Sequence, residues 1–236
     1  MILSIAIPII VIVSLAAVVA AVIFFGMKLR SGAPLSVPLR SLLTVYFYLL
    51  SIAGLIVLLI GLSGLVNAGL GALLGRDFSY QRTPVGVPAV PLMSPEGVPQ
   101  RQFPSPEELT QESYRQQERQ AREVLLQGIS MTVVGGLVWA LHMMGRRKTE
   151  TAEERRAWFL HTAYLAILLA ICSIVGIITL ASGVYDTLRF YLLQPPGQFE
   201  YRTPPGQSLS AALVFAPAWA YYLVSLLRDV RQRQRA

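Results

Sequence analysis

His142 and His161 are the only two histidines in a chain of 236 residues, and each lies a short way inside a long apolar run. At 1.5 Å per residue they stand about 6 and 7.5 Å inward from Arg146 and Arg156, on the same side of a membrane. Two imidazoles at one depth on neighbouring helices could ligate a haem or a chlorophyll-type pigment. The plainer reading is a hydrogen bond from each ring to a neighbour, or a ring that reaches to the interface. His142 and His161 are thus the cofactor-binding candidates, and apart from them the sequence implies no cofactor.

Asp186 is the one acid near a span, and Arg189 follows three residues on, where an ion pair along a helix is easy. Charged groups inside membranes are functional candidates by default. Asp186, however, sits near a boundary beside Tyr185 and Tyr191, and the position that matches it elsewhere in the chain, Asn67, is neutral. Asn67, Asp186 and Arg189 are therefore read as structural polar residues that form an ion pair or interhelical hydrogen bonds. The single cysteine, Cys172, excludes an intrachain disulfide and is read as a small buried apolar side chain. No phosphate loop, His-Glu-x-x-His zinc motif, nucleophile elbow or paired carboxylates occur, so the reading assigns no catalytic residue and no metal site.

The elements that hold these residues follow from the distribution of charge. Hydrophobic residues make up 54% of the chain and charged residues 14%, against roughly 25% charged in soluble domains. Ile2 to Met27, Ser41 to Gly75, Val124 to Gly145, Ala157 to Tyr185 and Thr203 to Leu227 contain no Asp, Glu, Lys or Arg. Each run is long enough for the roughly 20 residues a helix needs to cross the hydrocarbon core. The fold class expected is all-α, a multi-pass transmembrane bundle of about five helices. The first run has its positive charges, Lys28 and Arg30, behind it and is too long for a signal-peptide core. Residues 1–30 are read as an anchor helix with the N-terminus outside.

Basic residues set the orientation. Lys28, Arg30 and Arg40 flank the first connection, Arg146, Arg147, Lys148, Arg155 and Arg156 the third, and Arg228, Arg231, Arg233 and Arg235 the tail. Positively charged short loops stay in the cytoplasm, so the C-terminus and the basic tail, 231–236, are expected inside. The net charge of +7 is explained by topology and by affinity for anionic lipid rather than by nucleic acid. The expected location is the inner membrane of a bacterial cell.

The chain also repeats itself. Ser63-Gly64-Leu65-Val66-Asn67 matches Ser182-Gly183-Val184-Tyr185-Asp186, Phe78 to Pro84 matches Phe199 to Pro204, and Trp139-Ala140-Leu141-His142 matches Trp219-Ala220-Tyr221-Tyr222. Three matches in one order predict two parallel helix-loop-helix copies, 40–148 and 157–230, related by an axis along the membrane normal. The run Tyr46 to Leu55, the Ser63-Gly64 turn and the closing Trp139-Ala140-Leu141-His142 resemble a bacterial integral-membrane domain of unknown function that occurs as tandem two-helix units. The resemblance spans 40 to 230 and implies fold and topology without an activity. The second copy departs from it, with Tyr222 in place of histidine and no Tyr-x-Tyr pair opening its first helix.

Further details concern the spans and what joins them. A helix from Arg40 to Gly75 is about 50 Å long, more than the roughly 30 Å core requires, so it either protrudes or breaks near Gly61, Ser63 and Gly64. Phe78, Tyr80, Phe199 and Tyr201 fit an outer aromatic belt and Trp158 an inner one. The external loop 84–106, with prolines at 84, 88, 91, 95, 99, 104 and 106, reads as an extended strap. Ser105-Pro106-Glu107-Glu108 then starts a polar helix expected to run straight into the third span.

Three functions remain from this reading. The leading one is a non-catalytic structural or accessory subunit of a larger membrane complex, with membrane lipids and partner subunits contacting the first helix and the Pro-rich loop. The alternatives are a small transporter or channel, suggested by the repeat, and a haem or pigment carrier using His142 and His161.

Overall fold

The computed structural model describes residues 39–81, 106–149, 159–193 and 203–234. These form five helices and no strand: α1 (Leu39–Leu74), the single turn α2 (Arg76–Ser79), α3 (Pro106–Thr149), α4 (Phe159–Leu192) and α5 (Gly206–Gln234). α1, α3, α4 and α5 are long and apolar enough to cross a membrane. The expected span within 1–30 and the Pro-rich strap lie outside the described residues.

α1 is one unbroken helix of 36 residues. Of the two alternatives, protrusion or a break near Gly61, Ser63 and Gly64, there is no break; Gly61 and Gly64 admit the neighbouring helix instead. The helix stops at Gly75, whose φ of 101° is a conformation that side chains with a Cβ rarely adopt. α3 begins at Pro106, where the missing N–H costs no helical hydrogen bond. Glu107 and Glu108 lie in its first turn and Arg146, Arg147 and Lys148 in its last, matching the helix dipole at both ends. The polar start and the apolar span are one helix, as expected. Pro217 lies inside α5 and leaves the carbonyl of Leu213 without its usual helical donor, a gap that membrane helices tolerate.

The chain divides into two compact units, and every long helix contributes to both. α1 and α4 begin in the first unit and end in the second, while α3 and α5 run the other way.

In the first unit the core is one face of α1: Thr44, Tyr48, Ser51, Ile52, Leu55, Ile56 and Leu59 are all buried. Their three- and four-residue spacing is that of a helical stripe. α3 packs antiparallel on α1 with backbone against backbone. A Cβ on Gly54 would lie 2.6 Å from the amide nitrogen of Trp139, one on Gly61 would lie 2.5 Å from that of Thr132, and one on Gly135 would collide with the backbone of Leu58. Such approaches need residues without side chains, which is why membrane interfaces favour glycine. Thr162 of α4 donates to Asp229 of α5 at 2.8 Å.

In the second unit α1 and α3 stay antiparallel, with Gly64 facing Gly128. Gly183 of α4 lies against Leu209 of α5, and Ser63 of α1 meets Ser210 of α5 at 3.5 Å. α2 turns inward. Phe78 is buried edge-on against Phe190 with ring centroids 5.7 Å apart, and buried Tyr80 covers Gly71. Phe78 and Tyr80 are therefore core residues and not an aromatic belt, because the tight turn at Gly75 folds them back. Phe199, Tyr201 and Trp158 lie outside the described residues.

The outer faces remain apolar. Leu126, Ile129, Val133, Val134, Leu137 and Leu141 of α3 are each 46–65% exposed, the surface expected of a helix whose solvent is lipid.

Candidate functional site

The most unusual group in the first unit is a buried cation. Arg146, three residues before the end of α3, is only 5% exposed. Its guanidinium carbon stands 4.7 Å from the ring centre of Tyr48 on α1 and 5.0 Å from that of Tyr164 on α4. The two rings meet edge to face at 5.2 Å, and the Tyr164 hydroxyl lies 3.4 Å from that of fully buried Ser51. Three helices thus build a box in which two phenol rings pack side by side against one guanidinium.

The energetics of that box are unbalanced. A desolvated cation over an aromatic face gains about 2 kcal/mol, whereas enclosing an ion costs several kcal/mol even after relaxation. Arg146 Nε and Nη1 are buried without a hydrogen-bond partner. Arg76 pairs with Glu118 and Arg233 with Asp229, and neither pair involves Arg146. The box can fix a positive charge and leave it available to an anion.

His142 lies half-buried on the same helix. Its Nδ1–H donates to the Val138 carbonyl at 2.7 Å, which leaves Nε2 as the nitrogen with a free lone pair. Its ring packs on Tyr46 at 5.6 Å and Phe47 at 6.0 Å. His161 of α4 is partly buried. The two imidazoles are not in contact with each other.

The second unit holds the other residues singled out from the sequence. Asn67 is 5% exposed and its Oδ1 has no partner. It lies beside Ser79 against the first residue of α5, so close that a Cβ on Gly206 would fall 2.8 Å from Asn67 Oδ1 and 2.5 Å from Ser79 Oγ. The first N–H groups of a helix are free donors, so these two oxygens are set at the positive end of α5. Asp186 accepts from Ser208 Oγ at 3.2 Å, also in the first turn of α5. Of the two arrangements expected of Asp186, the structure has the interhelical hydrogen bond and not the ion pair with Arg189. The carboxylate turns toward the α5 N-terminus, which favours negative charge, while Arg189 stays exposed.

Sequence reading missed the link between α2 and α3. Gln117 is 1% exposed, and its Nε2 donates to Asp77 Oδ1 at 2.9 Å and to the Tyr80 carbonyl at 3.4 Å. Next to it Arg76 pairs with Glu118 at 2.8 Å on the surface. Burial raises the Tyr80 phenol above its ordinary value, and the nearby Arg76 charge offsets part of that shift. Arg146 was missed for a different reason, since the first of three consecutive basic residues reads as an orientation signal. The aromatic run Tyr46-Phe47-Tyr48 was the available clue. Among the described residues no three His, Cys, Asp or Glu side chains gather as a metal site.

A family model described as a domain of unknown function (DUF5671) matches residues 105–202, and the chain is similar to that family over this part. The match takes in α3 and α4, and is shorter than the 40 to 230 expected from the resemblance. No curated protein and no solved structure matches the chain.

Proposed function

We propose that this chain is a non-catalytic structural or accessory subunit of a larger membrane complex in the bacterial inner membrane. The observation that carries the reading is the glycine seam between α1 and α3. Gly54, Gly61 and Gly135 bring the two backbones to van der Waals distance, and helices joined in this way act as one rigid body with no room between them for a solute. A small transporter needs such surfaces to part and rejoin. The outward apolar face of α3, the strap 84–106 and the span within 1–30 are the surfaces assigned to lipid and partner subunits.

The repeat belongs to the same reading. Gly64 meets α3 at Gly128 while Gly183 meets α5 at Leu209, close to the positions the three sequence matches pair. This supports two parallel copies, 40–148 and 157–230; the N-terminus outside and the C-terminus inside rest on the basic clusters alone.

Purification from native membranes in a mild detergent, with the absorption spectrum and the subunit composition recorded together, tests the proposal. It predicts other membrane proteins in fixed proportion and no visible band. A haem or pigment band dependent on His142 or His161, or solute flux by the chain alone in vesicles, would replace it with one of the alternatives.

A further inference from the structure

The guanidinium of Arg146 is held in place, and among the described residues no carboxylate pairs with it. Tyr48 and Tyr164 pack side by side against it, and these rings attract a cation without carrying a net charge of their own. The carbonyl end of α3 adds only a partial negative charge. Nε and Nη1 are enclosed, which leaves Nη2 as the nitrogen open to a ligand.

The surroundings select the sign and class of that ligand. Arg147 and Lys148 follow directly and are exposed, so the local field repels cations and concentrates anions. Thr149 is already committed to its own helix, its hydroxyl donating to the carbonyls of Gly145 and Arg146 at 3.1 Å. The site lies at the end of a helix long and apolar enough to cross a membrane, the level at which lipid phosphates lie. A guanidinium, whose planar fork of donors matches phosphate oxygens, suits a phosphate better than a mobile ammonium does.

We infer that Arg146 anchors a binding site for the phosphodiester headgroup of an anionic phospholipid. Tyr48 and Tyr164 hold the guanidinium in place, and Arg147 and Lys148 supply the preference for a net negative headgroup.

The test uses the full chain, delipidated in neutral detergent, with thermal unfolding followed as dioleoyl phosphatidylglycerol, dioleoyl phosphatidylcholine or soluble glycerol phosphate is added. Phosphatidylglycerol well above its dissociation constant should raise Tm by roughly 5 °C, and the other two should raise it by less than a third as much. Arg146→Gln should abolish the rise and Arg146→Lys should at least halve it. Changing Arg147 and Lys148 together to Gln should keep the full rise but demand several-fold more lipid. Native mass spectrometry of the wild type should retain one phosphatidylglycerol per chain, a readout that stands even if Arg146→Gln does not fold. An equal rise with phosphatidylcholine, an undiminished rise in Arg146→Lys, or an equal rise with glycerol phosphate would overturn the assignment.

Discussion

The α carbon of Gly54 faces the amide nitrogen of Trp139 so closely that one methyl group between them would stand 2.6 Å from that nitrogen. Neither backbone can yield without moving a whole helix. Gly54→Ala should therefore lower stability by roughly 1–3 kcal/mol, the range for overpacking. Gly69 has open space at the same point, so Gly69→Ala should be neutral or gain up to about 1 kcal/mol from helix propensity. Unfolding in detergent followed by circular dichroism compares the two, and equal effects would show that the seam is not tight.

Ser51 and Tyr164 are joined by one interhelical hydrogen bond at 3.4 Å. A double-mutant cycle with Ser51→Ala and Tyr164→Phe should return a coupling of about 0.6 kcal/mol, typical of such bonds in membrane proteins. Tyr164→Phe keeps the ring over Arg146, so its cost should be well below that of Tyr164→Ala.

Tyr80 gives a pH dependence with a definite sign. Burial raises its phenol above the ordinary 10.0, so the unfolded chain loses this proton at a lower pH than the folded one. The associated stability is complete below pH 10 and falls away as pH rises through the folded value. Tyr80→Phe should lose less stability than the wild type above pH 10 and show the same pH dependence below it. Parallel unfolding series for the two proteins check this.

Much of the architecture was legible because long charge-free runs have few alternatives to a membrane helix. The joined polar and apolar halves of α3 were legible from Ser105-Pro106-Glu107-Glu108, a start signal with no stop before the span. Gly61 and Gly64 were ambiguous, since glycine both weakens a helix and admits a neighbour, and only the facing residues Thr132 and Gly128 decide which. Phe78 and Tyr80 were misread because their burial depends on the backbone reversal at Gly75. Arg146 was misread because burial of one arginine among three is decided by Tyr48 and Tyr164 on two other helices.

Orientation is open to a direct chemical test. Native Cys172 is 1% exposed and should give little background in intact cells. Cysteines introduced at Ser94 and Gln198 should react with an impermeant maleimide from outside, and those at Thr149 and Gln232 should react only after permeabilisation. Reaction of the Thr149 variant in intact cells would invert the topology.

If the chain works by holding a partner, deletion of Val87 to Gln102 should loosen that hold. A proline-rich segment has few backbone donors with which to build a core of its own, so its removal should leave the helices inserted, with an unchanged circular dichroism spectrum. Quantitative mass spectrometry after mild-detergent purification should then show partner subunits that accompany the wild type reduced severalfold in the deletion variant. Full retention of those subunits, or unfolding of the isolated variant, would rule out the segment as a partner-holding strap.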